Sequence, residues 1–581
     1  MSQPQNRTLR LACRLSSFAI RNLRFVLHRL RFVVYLLPLA FLVAFFFYPL
    51  ARIFGVSLTL AEGGGLEALR KLVSTDYYAR TLWFTAWQAV VSTLLTVLLA
   101  LPGAYVFARY EFRGKTLLRA LTTVPFVMPT IVVAAAFSSL LGPRGRLNLW
   151  LMAWRGLERP PIQLQHTIWI ILLAHVFYNY TVVLRMVGGF WANLNPRLEE
   201  AARLLGGNRW RVLREVTLPL LAPAIGASAL LVLIFCFTSF GVVLILGGSR
   251  FATLEVEIYR QTVHIFNLPL AAALSLLQIL FTLSLMIVYT RTQASLSVPL
   301  EFRPRRVTQR RPRTWRARLL VMVNVAFMLV LLVTPLLTLV ERSLSVGIEG
   351  GYSLRYYQQL SYSRRGSILF VPPWEAIRNS VVFSAATVIL AVALGTPAAA
   401  LVTRPQSRLA RWLDPLFMLP LATSAVTLGF GYIVALDKPP LNLRASPALV
   451  PLAHTLVALP FVVRSLLPVL RGIQPSLREA AAVLGASPWR VWREVDLPIV
   501  SRAMLVGAVF AFTVSLGEFG ATVLIARPQY PTLPVAIYRF LGQPGAANYG
   551  QALAMSSLLM LVCAVGFMTI ERFRIGNVGE F

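Results

Sequence analysis

Hydrophobic positions in this chain fall into long, nearly unbroken runs, and the polar residues gather in short segments between them. A helix rises about 1.5 Å per residue, so about 20 mostly apolar residues cross the hydrocarbon core of a bilayer. By that measure the pattern predicts twelve membrane-spanning helices: 32–50, 81–107, 117–141, 166–188, 220–247 and 270–290, then 319–341, 377–402, 409–436, 448–470, 499–526 and 550–571. Backbone groups in lipid need partners within their own segment, and the runs lack the short alternation of an outer-membrane barrel, so they are read as helices. Pro38, Pro102, Pro129 and Pro420 fall inside or near these runs, where neighbouring helices can cover the freed carbonyls. The first run comes after a long basic stretch, and no small-residue cleavage site comes after Tyr48-Pro49-Leu50. It is therefore read as a retained span and not a signal peptide.

Composition and charge sharpen this picture. Of 581 residues, 57% are hydrophobic and 13% charged, against roughly 25% charged in a soluble domain, which excludes a soluble globular protein. All but three of the 56 basic residues are arginine, and they lie between the apolar runs rather than in one patch. Placing the N-terminus in the cytoplasm puts 35 basic residues inside and 19 outside, with basic residues at span ends such as Arg119, Arg411 and Arg502 counted in the adjoining segments and Arg185 and Arg464 counted within spans. With Glu341, Asp414 and Glu571 near span ends counted in the adjoining segments, acidic residues divide 11 to 10, with Glu518 deeper in a span, so basic residues set the orientation and both termini are predicted cytoplasmic. The net charge of +34 is thus accounted for by topology, without nucleic acid as a partner. Cys13, Cys236 and Cys563 are far apart and give neither a disulfide framework nor a zinc site.

An internal repeat organises the spans. PRLEEAARLLGGNRWRVLREVTLP at 196–219 aligns without gaps to PSLREAAAVLGASPWRVWREVDLP at 475–498, with fifteen of 24 positions identical at an offset of 279. The same offset pairs His175 with His454, Arg185 with Arg464, Phe240-Gly241 with Phe519-Gly520, Thr253-Leu254 with Thr532-Leu533, and Ile258-Tyr259-Arg260 with Ile537-Tyr538-Arg539. Each half then holds six spans, and an even number sets both halves the same way up. The predicted organisation is a basic arm at 1–31, a first unit at 32–290, an arginine-rich linker at 291–318, a second unit at 319–571 and a tail at 572–581. Within the repeated segment, Pro196 and Pro475 suit the first turn of a short helix, and Gly206 and Gly485 supply the left-handed residue that ends it. Asn208 and Ser487 are expected to cap a second short helix, and Leu218-Pro219 and Leu497-Pro498 to turn the chain back into the membrane.

Glu200-Ala201-Ala202 with Gly206, and Glu479-Ala480-Ala481 with Gly485, resemble the cytoplasmic loop of the permeases of binding-protein-dependent ABC importers, type I fold. The resemblance covers roughly 80–290 and 375–570 and fits the fused kind, with both units in one polypeptide. It implies an all-α polytopic fold of twelve transmembrane helices in two parallel six-helix repeats, embedded in the inner membrane. Those eight residues are then the coupling sites for two ABC nucleotide-binding subunits, and an extracytoplasmic solute-binding protein delivers the solute for alternating-access transport. Ile245-Leu246-Gly247-Gly248 with Thr253-Leu254 and Ile258-Tyr259 resembles permeases for thiamine and for ferric iron, Leu172 to Asn179 is closer to the thiamine type, and Gly517-Glu518-Phe519-Gly520 is similar also to segments of sulfate and molybdate permeases. The one Gly-Lys-Thr, 114–116, has Arg109 where a phosphate-binding loop needs its first glycine, so ATP and magnesium are expected on the partner subunit and this chain is not expected to be an enzyme.

A charge at mid-bilayer is costly and marks a candidate functional site. Glu518 is the one acid well inside a predicted span, Glu341, Asp414 and Glu571 lying near span ends, and Ser239 stands at its equivalent position. With Phe519 and Phe240 they form a candidate translocation path for a cationic solute, the competing reading being that Glu518 pairs with a helix end or an arginine. His175 and His454 are read as hydrogen-bonding residues of helix packing, and Arg185 and Arg464 as reaching out to headgroups; no metal site is expected. A secondary transporter of major-facilitator layout is the alternative, although it leaves the duplicated loops unexplained. A membrane-bound enzyme finds no paired carboxylates or Ser-His-Asp set in the aqueous segments.

Overall fold

The structure is a computed structural model describing residues 34–59, 74–248, 250–295, 309–346, 351–362, 371–403, 408–437 and 441–574, with isolated positions between these blocks. The basic arm at 1–31, the middle of the linker and most of the tail lie outside the described residues. The first half contains α1 (Val34–Ser57), α2 (Asp76–Arg109), α3 (Lys115–Val127), α4 (Thr130–Leu141), α5 (Arg146–Arg155), α6 (Ile168–Asn193), α7 (Pro196–Leu204), α8 (Arg209–Phe237), α9 (Leu254–Arg260) and α10 (Leu268–Ser295). The second contains α11 (Trp315–Leu344), α12 (Pro373–Val402), α13 (Arg408–Met418), α14 (Ala425–Ala435), α15 (Leu449–Gly472), α16 (Pro475–Val483), α17 (Pro488–Gly517), α18 (Leu533–Leu541) and α19 (Ala546–Arg574). Among the described residues ten helices are long and apolar enough to cross a membrane, and two bent pairs bring the total to the expected twelve.

Those bent pairs correct the reading of 117–141 and 409–436 as straight spans. α3 meets the segment Thr130–Arg155, which holds α4 and α5, at 106°, and in the second half Leu413–Leu421 meets α14 at 95°. In the first half the cause is Pro129, which lacks a backbone donor and forces Met128 into an extended conformation (φ −67°, ψ 138°). In the second, Ser424 starts a new helix by accepting from the backbone N–H of Val426 and Thr427. A second correction concerns 220–247 and 499–526. α8 stops at Phe237 and α17 at Gly517, and only a short helical segment comes after each break, ending in the wide turn Val243–Gly247 in the first half and formed by Thr522–Ile525 in the second.

Each half is built on three helices packed together, α2, α6 and α8 in one and α12, α15 and α17 in the other. α2 presents small polar residues on its packed face, and Thr85 and Thr96 return their hydroxyls to the carbonyls of Thr81 and Ser92, both at 2.7 Å. Helices approach closely over such residues without leaving a polar group unsatisfied in lipid.

The first helix of each half crosses to the other half. α1 packs on α14, where Pro49 and Ile53 lie against Gly431, and α11 packs on α4 and α19. α11 also reaches α2, with Met328 against Gly103. The halves are therefore interlocked rather than merely abutting.

The structure also extends the repeat. Thr85 Oγ accepts from the N–H of Leu254 and Ser380 Oγ from that of Leu533, at 3.0 and 2.7 Å. These hydroxyls are related by 380 − 85 = 295 and not by 279, so α2 and α12 correspond at an offset of 295. The difference of 16 residues falls between α4 and α6, where the first half carries α5, a helix with no counterpart among the described residues of the second.

Candidate functional site

The two repeated loops adopt the local design that their sequence implies. Asn195 accepts from the N–H of Arg197 to start α7, and Pro475 occupies the first turn of α16. Gly206 (φ +86°) and Gly485 (φ +82°) close these helices in the left-handed region, where a side chain is disfavoured. Asn208 accepts from the N–H of Arg211 at 2.8 Å and Ser487 from that of Arg490 at 3.3 Å, capping α8 and α17. These capped elements are not the separate short helices expected from the sequence, however. Leu218-Pro219 and Leu497-Pro498 do not turn the chain, because α8 and α17 run continuously through them. A proline ring clashes with the carbonyl four residues earlier, and the wider turns at Leu213–Thr217 and Trp492–Asp496 absorb that clash without a break.

Glu200, Ala201, Glu479 and Ala480 are exposed, and Ala202 and Ala481 half-buried, so none is consumed by the chain's own core. Beside them lies an exposed apolar tip. Leu204 and Leu205 are each 89% exposed, and Val483 and Leu484 each 87%, with Trp210 and Trp489 alongside. The base of each loop is clamped. Arg109, buried at the end of α2, pairs with Glu199 at 2.6 Å, and Glu199 also meets Arg203 and the Thr217 hydroxyl. In the second half the positions equivalent to Glu199 and Thr217 are Arg478 and Asp496, which pair with each other at 2.8 Å. The end of the linker docks beside the first clamp: Arg310 donates its N–H to Arg109 O and accepts from Glu111 N, its guanidinium over the Tyr110 ring.

At the other end of α8 and α17, the two breaks meet at the interface between the halves. Phe240 and Phe519 stack with ring centroids 5.7 Å apart, flanked by Tyr259 at 5.5 Å and Tyr538 at 5.3 Å. Close approach needs the glycines next to them, since a Cβ at Gly241 would strike Thr130 and one at Gly520 would strike Ala425. Of the four candidate path residues, the structure therefore brings Phe240 and Phe519 together. Ser239 and Glu518 instead face back into their own halves. His175 shares hydrogen bonds with Ser92 and Ser239, both 2.8 Å, and His454 with Ser515 and Thr522, also 2.8 Å. The histidines are thus the packing residues expected of them. The Glu518 carboxylate accepts from the N–H of Ala521 and Thr522 and from the Thr522 hydroxyl, with His454 at 3.4 Å. It ends one helix and starts the next, the helix-end role weighed against a path role from the sequence. Arg185 bonds Thr123 within its own half rather than reaching headgroups, whereas Arg464 is exposed and meets Met418.

Sequence reasoning missed two buried acids in a segment read as an outer loop. Glu255 and Glu257 on α9 are 0% and 1% exposed. Glu257 accepts from the Tyr77 hydroxyl and from Gln261, and Glu255 accepts from Gln278 at 3.0 Å and from the hydroxyl of Ser424 in the other half. A helix of seven residues is too short to register as a hydropathy run, but the repeated Thr-Leu and Ile-Tyr-Arg around it marked it as structured.

Two interlocked six-helix halves, each with an exposed loop at one end and an aromatic closure at the other end of one long helix, define a membrane-transport permease. Residues 92–298 and 382–574 each match the family described as "Binding-protein-dependent transport system inner membrane component". The chain belongs to that family and is a permease subunit of an ABC importer, which sets aside the major-facilitator alternative. It is 27% identical over 87% of its length to 90% of the thiamine transport system permease protein ThiP of Escherichia coli (strain K12). It is 28% identical over 88% of its length to 90% of the ThiP of Brucella abortus (strain 2308). A probable ABC transporter permease protein, y4fN of Sinorhizobium fredii, is 26% identical, with 88% of this chain and 91% of that one covered.

Proposed function

We propose that this chain imports thiamine or a closely related organic cation, driven by ATP hydrolysis on two separate nucleotide-binding subunits that dock on the two repeated loops. The observation that carries the coupling is the duplicated loop itself: an apolar tip left exposed on a clamped base, joined through the capped turn at Gly206 or Gly485 to the long helix that leads to the aromatic stack. Glu200, Ala201, Ala202, Gly206, Glu479, Ala480, Ala481 and Gly485 form the docking surfaces, facing the cytoplasm with both termini. The units at 32–290 and 319–571 move against each other, with the 291–318 linker on the cytoplasmic side.

α8 has 29 residues, a rod of about 44 Å at 1.5 Å per residue. Closure of the ATPase subunits draws the loops together, and the rods carry that displacement to Phe240 and Phe519, which part to open the path. Glu518, His454, Ser239 and His175 hold the rod ends rigid so that the displacement is not lost in local bending. An extracytoplasmic binding protein supplies the solute. The names of the ThiP relatives favour thiamine, and an aromatic pair next to a buried acid suits its thiazolium ring; ferric iron is the next solute to test. The decisive experiment is reconstitution with the ATPase subunit and the binding protein in liposomes. Thiamine accumulation that requires ATP and stops when the ATPase subunit is omitted is expected; ATP-independent accumulation refutes the reading.

A further inference from the structure

Glu255 is fully buried, and among the described residues no arginine, lysine or histidine lies within ion-pair distance of it. Its partners are both neutral, Ser424 across the interface between the halves and Gln278 on α10. The Gln278 side-chain oxygen, also buried, has no hydrogen-bond partner. A carboxyl buried in this way with no cation beside it is driven toward its neutral form, so an arriving cation is what would favour its ionised form.

The twin interface shows that the fold does not require this arrangement. α18 packs on α4 as α9 packs on α14. At the equivalent positions stand Pro534 (534 − 255 = 279) and Pro129 (424 − 129 = 295), neither of which carries a polar side chain. The acid therefore serves something other than the repeat architecture. It sits one helical turn before Tyr259, on the same face of α9, and Tyr259 is part of the aromatic cluster that closes the interface.

We propose that Glu255 is the specificity-determining carboxylate for the positive charge of the solute. In the closed state it is tied to Ser424 and so holds the halves together. When the halves part it is uncovered into the path, where an organic cation passing between Phe240 and Phe519 replaces the bonds from Ser424 and Gln278. This rests on the importer reading above and deepens it by naming the group that selects for charge.

The test uses the full transporter with its ATPase subunit and binding protein. Glu255→Gln is isosteric and keeps hydrogen-bonding capacity toward both partners, so the complex is expected to assemble and melt as wild type does. Its ATP-driven uptake of labelled thiamine is expected to fall at least tenfold, with Glu255→Asp recovering part of it. Wild-type uptake by Glu255→Gln overturns the proposal. A second arm does not depend on the solute. Glu255→Cys, in a background lacking Cys13, Cys236 and Cys563, is expected to react with a cationic methanethiosulfonate reagent only during ATP turnover with binding protein present. No reaction in any state overturns the proposal. If the wild-type complex moves no thiamine, the solute assignment fails and this second arm alone decides whether residue 255 lines the path.

Discussion

Replacing Arg109 by methionine removes the cation from a buried pair while preserving much of the side chain's packing volume. Breaking a buried pair by deleting one partner costs about 3–5 kcal/mol. The figure here is smaller, because Glu199 is 19% exposed and keeps Arg203 at 3.6 Å and the Thr217 hydroxyl at 3.4 Å. A loss of about 2–3 kcal/mol remains, and since 1.4 kcal/mol is tenfold, opening of α7 from the bundle becomes about 30 to 140 times more frequent. Amide hydrogen exchange reports such local opening directly. Exchange in α7 is expected to accelerate by that factor in Arg109→Met, while α16, held by its own Arg478–Asp496 pair, keeps its wild-type rate. Unchanged exchange in α7 would refute the clamp. Equal acceleration in both loops would show a global loss of stability instead.

Leu205→Ala and Leu484→Ala each remove an apolar side chain that docking would bury; at about 2 kcal/mol for a leucine, each weakens binding of the ATPase subunit about 25-fold, measurable by titration of the detergent-solubilised chain. Gly206→Val or Gly485→Val forces a β-branched residue into the left-handed region at a cost of about 1–2 kcal/mol or more, and normal transport with normal ATPase binding would sink the coupling assignment. His175→Ala strands the buried hydroxyls of Ser92 and Ser239, costing about 1–3 kcal/mol for each group left without a partner; the melting temperature is expected to drop and transport per folded molecule to fall, whereas unchanged transport would argue that His175 does not stiffen the rod end. Phe519→Ala removes one face of the stack between the halves and is expected to raise ATP hydrolysis in the absence of solute, whereas tight coupling would argue that the aromatic pair does not close the path.

Hydropathy made the spans legible because lipid imposes one rule over twenty residues at a time, and the loops were legible because their capping chemistry is local. Gly206 and Gly485, Asn208 and Ser487 all do what their positions imply. The features that stayed hidden are finer than the hydropathy window. Thr238-Ser239-Phe240-Gly241 reads as apolar enough to continue a span, yet α8 ends at Phe237, where the Cys236 carbonyl also accepts from Gln88 of α2. Pro219 reads as a turn because a proline in isolation disfavours helix, and the widened turn before it is invisible in sequence. The correspondence of Thr85 with Ser380 and Ser92 with Thr387 is equally hard to see, since it preserves hydroxyls rather than identities. The crossing of α1 and α11 between halves leaves no local signature at all.

Joining both units in one polypeptide has a genetic consequence that Glu255 illustrates. In a transporter assembled from two copies of one gene product, any substitution arrives twice, and an acid placed at one interface brings a second acid at the other. Duplication within a single reading frame ends that constraint, for Pro534 and Glu255 can be inherited and selected as separate sites. On the proposal made for Glu255, an interface flanked by matched helices then carries one carboxyl instead of two, a single partner for a singly charged solute.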